Sequence, residues 1–146
     1  MYRSMGVWFS ALLLGVTACS PPDPPPSLPA GALPPGTIDV SINGKSAGRQ
    51  HGLACTRIAS FTSAAAGEGG SSVRAVVNAA DELNAVSVQI TDIGGFTGSY
   101  MANLQGKAQT KLVGTSTFVI SGVANGFFAA RPADQTTSDF TVKFAC

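Results

Sequence analysis

Three stretches of this chain carry three different patterns of hydrophobic and polar residues. Val7 to Leu14 is almost continuously apolar, Ser20 to Gly36 has no hydrophobic period, and from Thr37 onward the chain alternates. Ile38, Val40 and Ile42 fall on one side of an extended chain and Asp39, Ser41 and Asn43 on the other, after which Asn43-Gly44 gives a tight-turn signal. Further alternating segments run from Leu53 to Phe61, Val73 to Asn78, Val86 to Thr91, more weakly from Lys107 to Val113, then Thr117 to Ala124 and Phe140 to Cys146. Breakers lie between them at Gly67-Glu68-Gly69-Gly70, Gly94-Gly95 and Asn125-Gly126. Short strands at this spacing predict an all-β domain, either a small antiparallel sandwich or a partly open barrel. The one helical candidate, Ala79 to Ala85, is too short to stand alone.

The apolar stretch at the start is shorter than the roughly 20 residues that span a bilayer. Arg3 precedes it, and the small residues of Val16-Thr17-Ala18 lead from it to Cys19. A basic start, an apolar middle and small residues before a cleavage point are what a membrane-embedded signal peptidase accepts. Val16-Thr17-Ala18-Cys19 resembles the bacterial lipobox, whose cysteine receives a diacylglyceryl group and becomes the new N-terminus. The expected division is therefore a lipoprotein signal peptide over 1–18, an acylated Cys19 with a linker over 19–36, and a β-domain over 37–146. A buried methylene contributes about 0.8 kcal/mol, so two or more acyl chains hold far more firmly than one myristoyl group.

Every proline except Pro132 lies in the linker. Proline fixes φ and lacks an N–H, so this run favours solvated polyproline II over helix or sheet. At about 3.1 Å per residue it would hold the domain up to roughly 50 Å from the lipid. A ligand for an SH3-type domain is the competing use of such a run, but an envelope location needs only a spacer.

With Arg3 removed, the basic residues Lys45, Arg49, Arg57, Arg74, Lys107, Lys111, Arg131 and Lys143 balance Asp23, Asp39, Glu68, Asp81, Glu82, Asp92, Asp134 and Asp139. No basic cluster forms, which argues against nucleic acid and against anionic lipid held by charge alone. Membrane attachment is left to the acyl chains.

Three cysteines leave one over in an exported chain, and lipidation of Cys19 leaves Cys55 and Cys146 as an even pair in an oxidising compartment. Cys146 shares a face with Phe140, Val142 and Phe144, and Cys55 shares one with Leu53, Ala59 and Phe61, so both thiols are expected to point toward the core. A disulfide between them would close a loop of about 90 residues; two separate reduced core thiols are the alternative. Phe61, Phe96, Phe118, Phe127, Phe128, Phe140 and Phe144 supply the aromatic bulk of the expected core, with Tyr100.

The order of lipobox, low-complexity linker, Ile42-Asn43-Gly44-Lys45, Ala54-Cys55-Thr56, Phe118-x-Ile120-x-Gly122-x-Ala124-x-Gly126 and a last strand Phe140 to Cys146 resembles the LpqH-type lipoprotein antigens of mycobacteria. The resemblance covers the whole chain. By it, Cys19 corresponds to the lipidated cysteine and Cys55 and Cys146 to the family's two domain cysteines. The linker departs from the family pattern, having proline where the best-known members have Ser, Thr, Gly and Ala that are often regarded as glycosylated. The resemblance implies a surface-exposed, immunogenic lipoprotein of the cell envelope whose acylated terminus is sensed by host Toll-like receptor 2. It implies no catalytic activity.

The inventory of reactive groups agrees. His51 is the sole histidine, next to Gly52; it could pair with Asp39 or a serine, but a lone histidine in a loop is more often solvated or structural. Zinc needs three or four ligands, which leaves no metal site once the cysteines are used. Asp81-Glu82 are adjacent, and adjacent residues on a strand point apart. Gly67 to Gly70 lacks the Lys-Ser/Thr of a phosphate loop, and no serine sits in a GxSxG element. The expectation is a protein with no enzymatic activity and no cofactor. Its partners are then the membrane, through covalent lipid, and host receptors. A second class, a carrier of envelope lipid, draws on Phe127-Phe128 in the loop after Asn125-Gly126, where one ring could line an apolar groove.

Overall fold

The computed structural model describes residues 19–146, and the 1–18 segment assigned to the signal lies outside the described residues. No helix occurs among the described residues. Ten strands follow in chain order: β1 (Thr37–Ile42), β2 (Lys45–Gln50), β3 (Ala54–Ile58), β4 (Phe61–Glu68), β5 (Ser71–Asn78), β6 (Asn84–Ile93), β7 (Phe96–Met101), β8 (Lys107–Val113), β9 (Thr117–Phe128) and β10 (Thr136–Ala145). They form one antiparallel sheet in the order β2-β1-β10-β9-β7-β6-β5-β4-β3, with β8 also paired to β9. The sheet curls into a half-barrel, so the partly open barrel is the right member of the expected pair.

The inner face is the period-two pattern read through the strands. Ile38, Val40 and Ile42 of β1, Val73, Ala75 and Val77 of β5, Val88 and Ile90 of β6, and Phe140, Val142 and Phe144 of β10 are all buried in one cluster. Aromatic rings pack within it in pairs. Phe118 stacks on Phe144 with centroids 5.0 Å apart, and Phe96 tilts against Phe128 at 5.2 Å. Register starts at the Asn43-Gly44 turn, where both residues have positive φ (50° and 75°), the type I′ geometry that matches strand twist. The Asn43 side chain then accepts hydrogen bonds from the Ser138 hydroxyl (3.0 Å) and the Asp139 amide (3.1 Å), which ties this hairpin to β10.

Three strands have no clear alternation in the sequence. β2 is an edge strand with no buried residue. β4 buries only Thr62, Ala64 and Ala66, small residues alternating with other small residues, so its hydrophobic contrast is weak. In β7, Phe96 and Tyr100 face inward with Gly98 between them. The segment expected to run unbroken from Leu53 to Phe61 is interrupted at Ala59, whose φ of 52° turns the chain. Phe61 consequently begins the next strand opposite Ile58 and lies outside the core, 44% exposed. Ala79 to Ala85 forms no helix: the Asn78 side chain accepts from the Ala80 amide (3.0 Å), a local turn bond that competes with helix.

Asn125-Gly126, expected to break the chain, lies inside β9, and Phe127 and Phe128 are the last two residues of that strand rather than a loop. The glycines of the β9 motif have a packing cause. A Cβ on Gly122 would overlap the Lys107 carbonyl and the Ala108 Cα of β8, and one on Gly126 would overlap the Thr97 carbonyl of β7. Thus β9 serves two neighbours on one side, β8 along its first half and β7 along its second, and each approaches within the space a side chain would need. Gly122→Ala should therefore lower stability by about 1–3 kcal/mol, the usual cost of overpacking. Thermal unfolding of the variant checks this, with Ala124 left in place as the internal standard for alanine in the same strand.

Candidate functional site

The site is built where the tether enters the barrel. Gly36 donates its amide to the Ala145 carbonyl (2.8 Å), which fastens the chain to the end of β10 just before β1 begins. Three residues earlier the Leu33 amide donates to the Thr117 hydroxyl (2.9 Å), a bond out of solvent, and the Leu33 side chain is buried. A Cβ on Gly114, in the β8–β9 turn, would lie 3.4 Å from the Pro29 ring. The last third of the linker is thus packed on the domain, and Thr117, a fully buried polar residue, has its partner there. What remains free runs from Cys19 to Leu28, every residue of it exposed. At polyproline spacing this is about 30 Å, well short of the reach of a wholly free linker.

Cys55 and Cys146 form a disulfide with Cα atoms 6.0 Å apart and a sequence separation of 91 residues. Cys55 stands opposite the buried Ala64 and Cys146 lies two residues past the buried Phe144, so each shares a concave strand face with a core residue, but neither reaches the core it was expected to join. Both residues are exposed, because the half-barrel is open here and nothing covers the bridge. The bond joins β3, one edge of the sheet, to the end of β10, which is only two strands from the other edge. On the same concave side lies a cleft of about 470 Å³, lined by Leu83, Leu112 and Phe118 with the polar Arg57, Thr62 and Thr115. Arg57 Nε donates to the Thr62 hydroxyl (3.3 Å).

The other sequence candidates are scattered. Phe128 is half-buried against Phe96 and borders a cleft of about 220 Å³ with Arg131 and Asp134, and Phe127 borders a groove shared with Ile90 and with polar residues such as Gln89, Thr97, Ser99 and Asn125. His51 is exposed, and its carbonyl accepts the Gly67 amide (2.9 Å), a structural bond from the β2–β3 loop to β4. Asp39 lies 3.6 Å from Arg49, not beside His51. Asp81 and Glu82 are exposed in the β5–β6 loop, and the described residues hold no cluster of three metal-binding groups. Sequence reasoning missed the docked Leu33 and the Arg57–Leu112 cleft. Leu33 carried a usable signal, being a large apolar residue inside a proline run; the cleft carried none, since its lining comes from three separate turns.

An open antiparallel half-barrel cross-linked by one disulfide, with a proline-rich segment docked at one end, defines the class, and comparison with known proteins gives the family. The pattern of the Mycobacterium 19 kDa lipoprotein antigen matches residues 31–146, and the chain belongs to that family. The match begins inside the docked part of the tether. A protein of Mycobacterium avium subsp. hominissuis, named as a presumed lipoprotein, is 32% identical over 111 residues, 75% of this chain and 76% of its own length. A second of the same description, from Mycobacterium indicus pranii, is 28% identical over 142 residues, 97% of this chain and 94% of its own.

Because the disulfide closes so long a loop, its loss should be felt by the whole domain. On the chain-entropy model the constraint is worth about 4 to 5 kcal/mol. Replacing both cysteines, Cys55→Ser with Cys146→Ser, should lower the unfolding free energy read from denaturant titration by about that amount, and reductant should do the same to the unchanged protein while leaving the double variant unaffected.

Proposed function

We propose that this chain is a lipoprotein of the cell envelope, anchored on the extracytoplasmic face through acylated Cys19, which displays its β-domain as an antigen and interaction module and performs no catalysis. The observation that carries this reading is the free, exposed Cys19, followed by an exposed proline-rich segment whose far part is locked into the domain. A thiol so placed reaches a lipid surface without disturbing any fold contact, and the lipobox before it supplies the processing signal. Diacylglyceryl and a further fatty acyl chain such as palmitate give the two-chain anchorage that stable membrane attachment needs. Family membership supports the lipoprotein antigen role. The family resemblance makes host Toll-like receptor 2 the partner of the acylated terminus, and the scattered, balanced charges leave nucleic acid out. Cys19→Ala should lose metabolic labelling by a clickable fatty acid, leave the membrane fraction and no longer stimulate receptor reporter cells, while the disulfide and fold persist. Label retained on that variant would remove the anchor.

A second reading, carriage of an apolar ligand from the envelope, draws on the cleft at the tethered end as well as on Phe127-Phe128, of which Phe128 borders a smaller cleft with Arg131. The Leu83, Leu112 and Phe118 lining with Arg57 at its side fits an apolar chain bearing an anionic head. Under this reading the domain takes up a fluorescent fatty acid one to one, and Leu112→Asp abolishes uptake. Absence of saturable uptake by the unchanged domain would leave display alone.

A further inference from the structure

Large apolar side chains left exposed by the fold are not spread evenly. Ile58 is 70% exposed, Phe61 44%, Leu112 47% and Leu28 50%, while Met101 (44%) and Leu104 (78%) are exposed at the end of β7 and in the turn that follows it. Ile58 and Phe61 face each other across the β3–β4 turn, whose Arg57, Ala59 and Ser60 share the cleft lining with Leu112 and Thr115. Leu28 precedes Pro29, which sits against Gly114 beside Thr115. The first four therefore belong to one end of the half-barrel, the end at which the tether leaves. The opposite end, with the Asn43-Gly44 and Gly94-Gly95 turns and Arg131, exposes none of the protein's large apolar residues among those described.

We propose that this end of the domain rests on the bilayer surface, with Ile58, Phe61 and Leu112 inserted into the interface between headgroups and acyl chains. The proposal rests on the anchoring of Cys19. Its argument is the length and exit point of the tether. About 30 Å of free chain is no more than the width of a domain with a radius of gyration near 13 Å, so the tethered end is confined close to the lipid while the far end is not. An apolar rim held there exchanges water for the apolar part of the interface, and each side chain so buried adds to the attraction. Charge does not drive the contact: Arg57 lies at this end, and so do Asp81 and Glu82 in the loop that also supplies Ala79 and Leu83 to the cleft. A neutral lipid surface is the partner that fits, and the contact should be insensitive to salt. The domain then stands with its tethered end down and its Arg131 end outward, which leaves the outer turns as the face offered to proteins.

The mature chain holds no tryptophan, since Trp8 lies in the signal, so a single introduced tryptophan reports on its own position. The acylated full-length mature protein is reconstituted into phosphatidylcholine vesicles with and without brominated acyl chains, carrying Ile58→Trp, Leu112→Trp or, at the far end, Arg131→Trp. All three sites are exposed, and Arg131 lies past the far end of β9, roughly 35 Å from the β8–β9 turn at strand spacing. Ile58→Trp and Leu112→Trp should be quenched by the brominated lipid at low and high salt alike, and Arg131→Trp should not. Vesicle flotation of the same samples separates the two levels of the argument. Protein that floats with no quenching at either rim position, or with equal quenching at all three, overturns the docking while leaving the anchor intact; acylated protein that fails to float overturns the anchor.

Discussion

A sheet that curls without closing has two free edges, and the rest of this structure depends on how they are held. The strand order puts β2 at one edge and β3 at the other, although only residues 51–53 separate them in sequence. Chain continuity through that short loop forces the sheet to bend back on itself, the Gly67–His51 bond stitches the bend, and the Cys55–Cys146 disulfide fixes it covalently. Few long-range constraints act so economically on a small β-domain. The core consists of thin rows of Val, Ile and Ala with a short stack of aromatics, and it needs the curvature to bring β1, β5 and β10 into contact across the concave side. The same bond sits beside the tether lock at Gly36 and Leu33, so the point where the molecule would be pulled from its anchor is also where it is most firmly cross-linked.

Much of this was legible in the sequence, and the reasons differ by element. β1, β5, β6 and β10 alternate large apolar with polar residues, and that contrast is the periodic signal itself. β4 uses small residues on both faces, so its alternation exists in space but not in hydropathy, and in β7 the inward Phe96 and Tyr100 are separated by Gly98. Asn125-Gly126 read as a turn because that dipeptide favours positive φ, yet in β9 the glycine is required by the approach of β7 and the strand runs on. Phe61 read as core because period two was carried through Ala59, where the chain turns. The pairing of cysteines followed from counting and compartment, whereas their exposure follows from the openness of the barrel, which no local pattern records.

Functionally, the domain and its tether form one device. Proline stiffens the free segment, the docked segment sets where it emerges, and under the proposed anchoring the shortness of what is left would restrict how the domain meets the lipid. The chain belongs to the mycobacterial 19 kDa lipoprotein antigen family, and its conspicuous feature is the end at which the proline-rich segment docks on the domain. Display, carriage and membrane contact all draw on that end, and they differ in what touches the concave side.

The most direct test of the central claim is native mass spectrometry of the protein extracted from its own membrane. A chain beginning at Cys19, carrying diacylglyceryl and fatty acyl mass and lacking two hydrogens for the Cys55–Cys146 bond, is the predicted result. An unmodified chain still beginning at Met1, or a Cys19 without lipid, would contradict it.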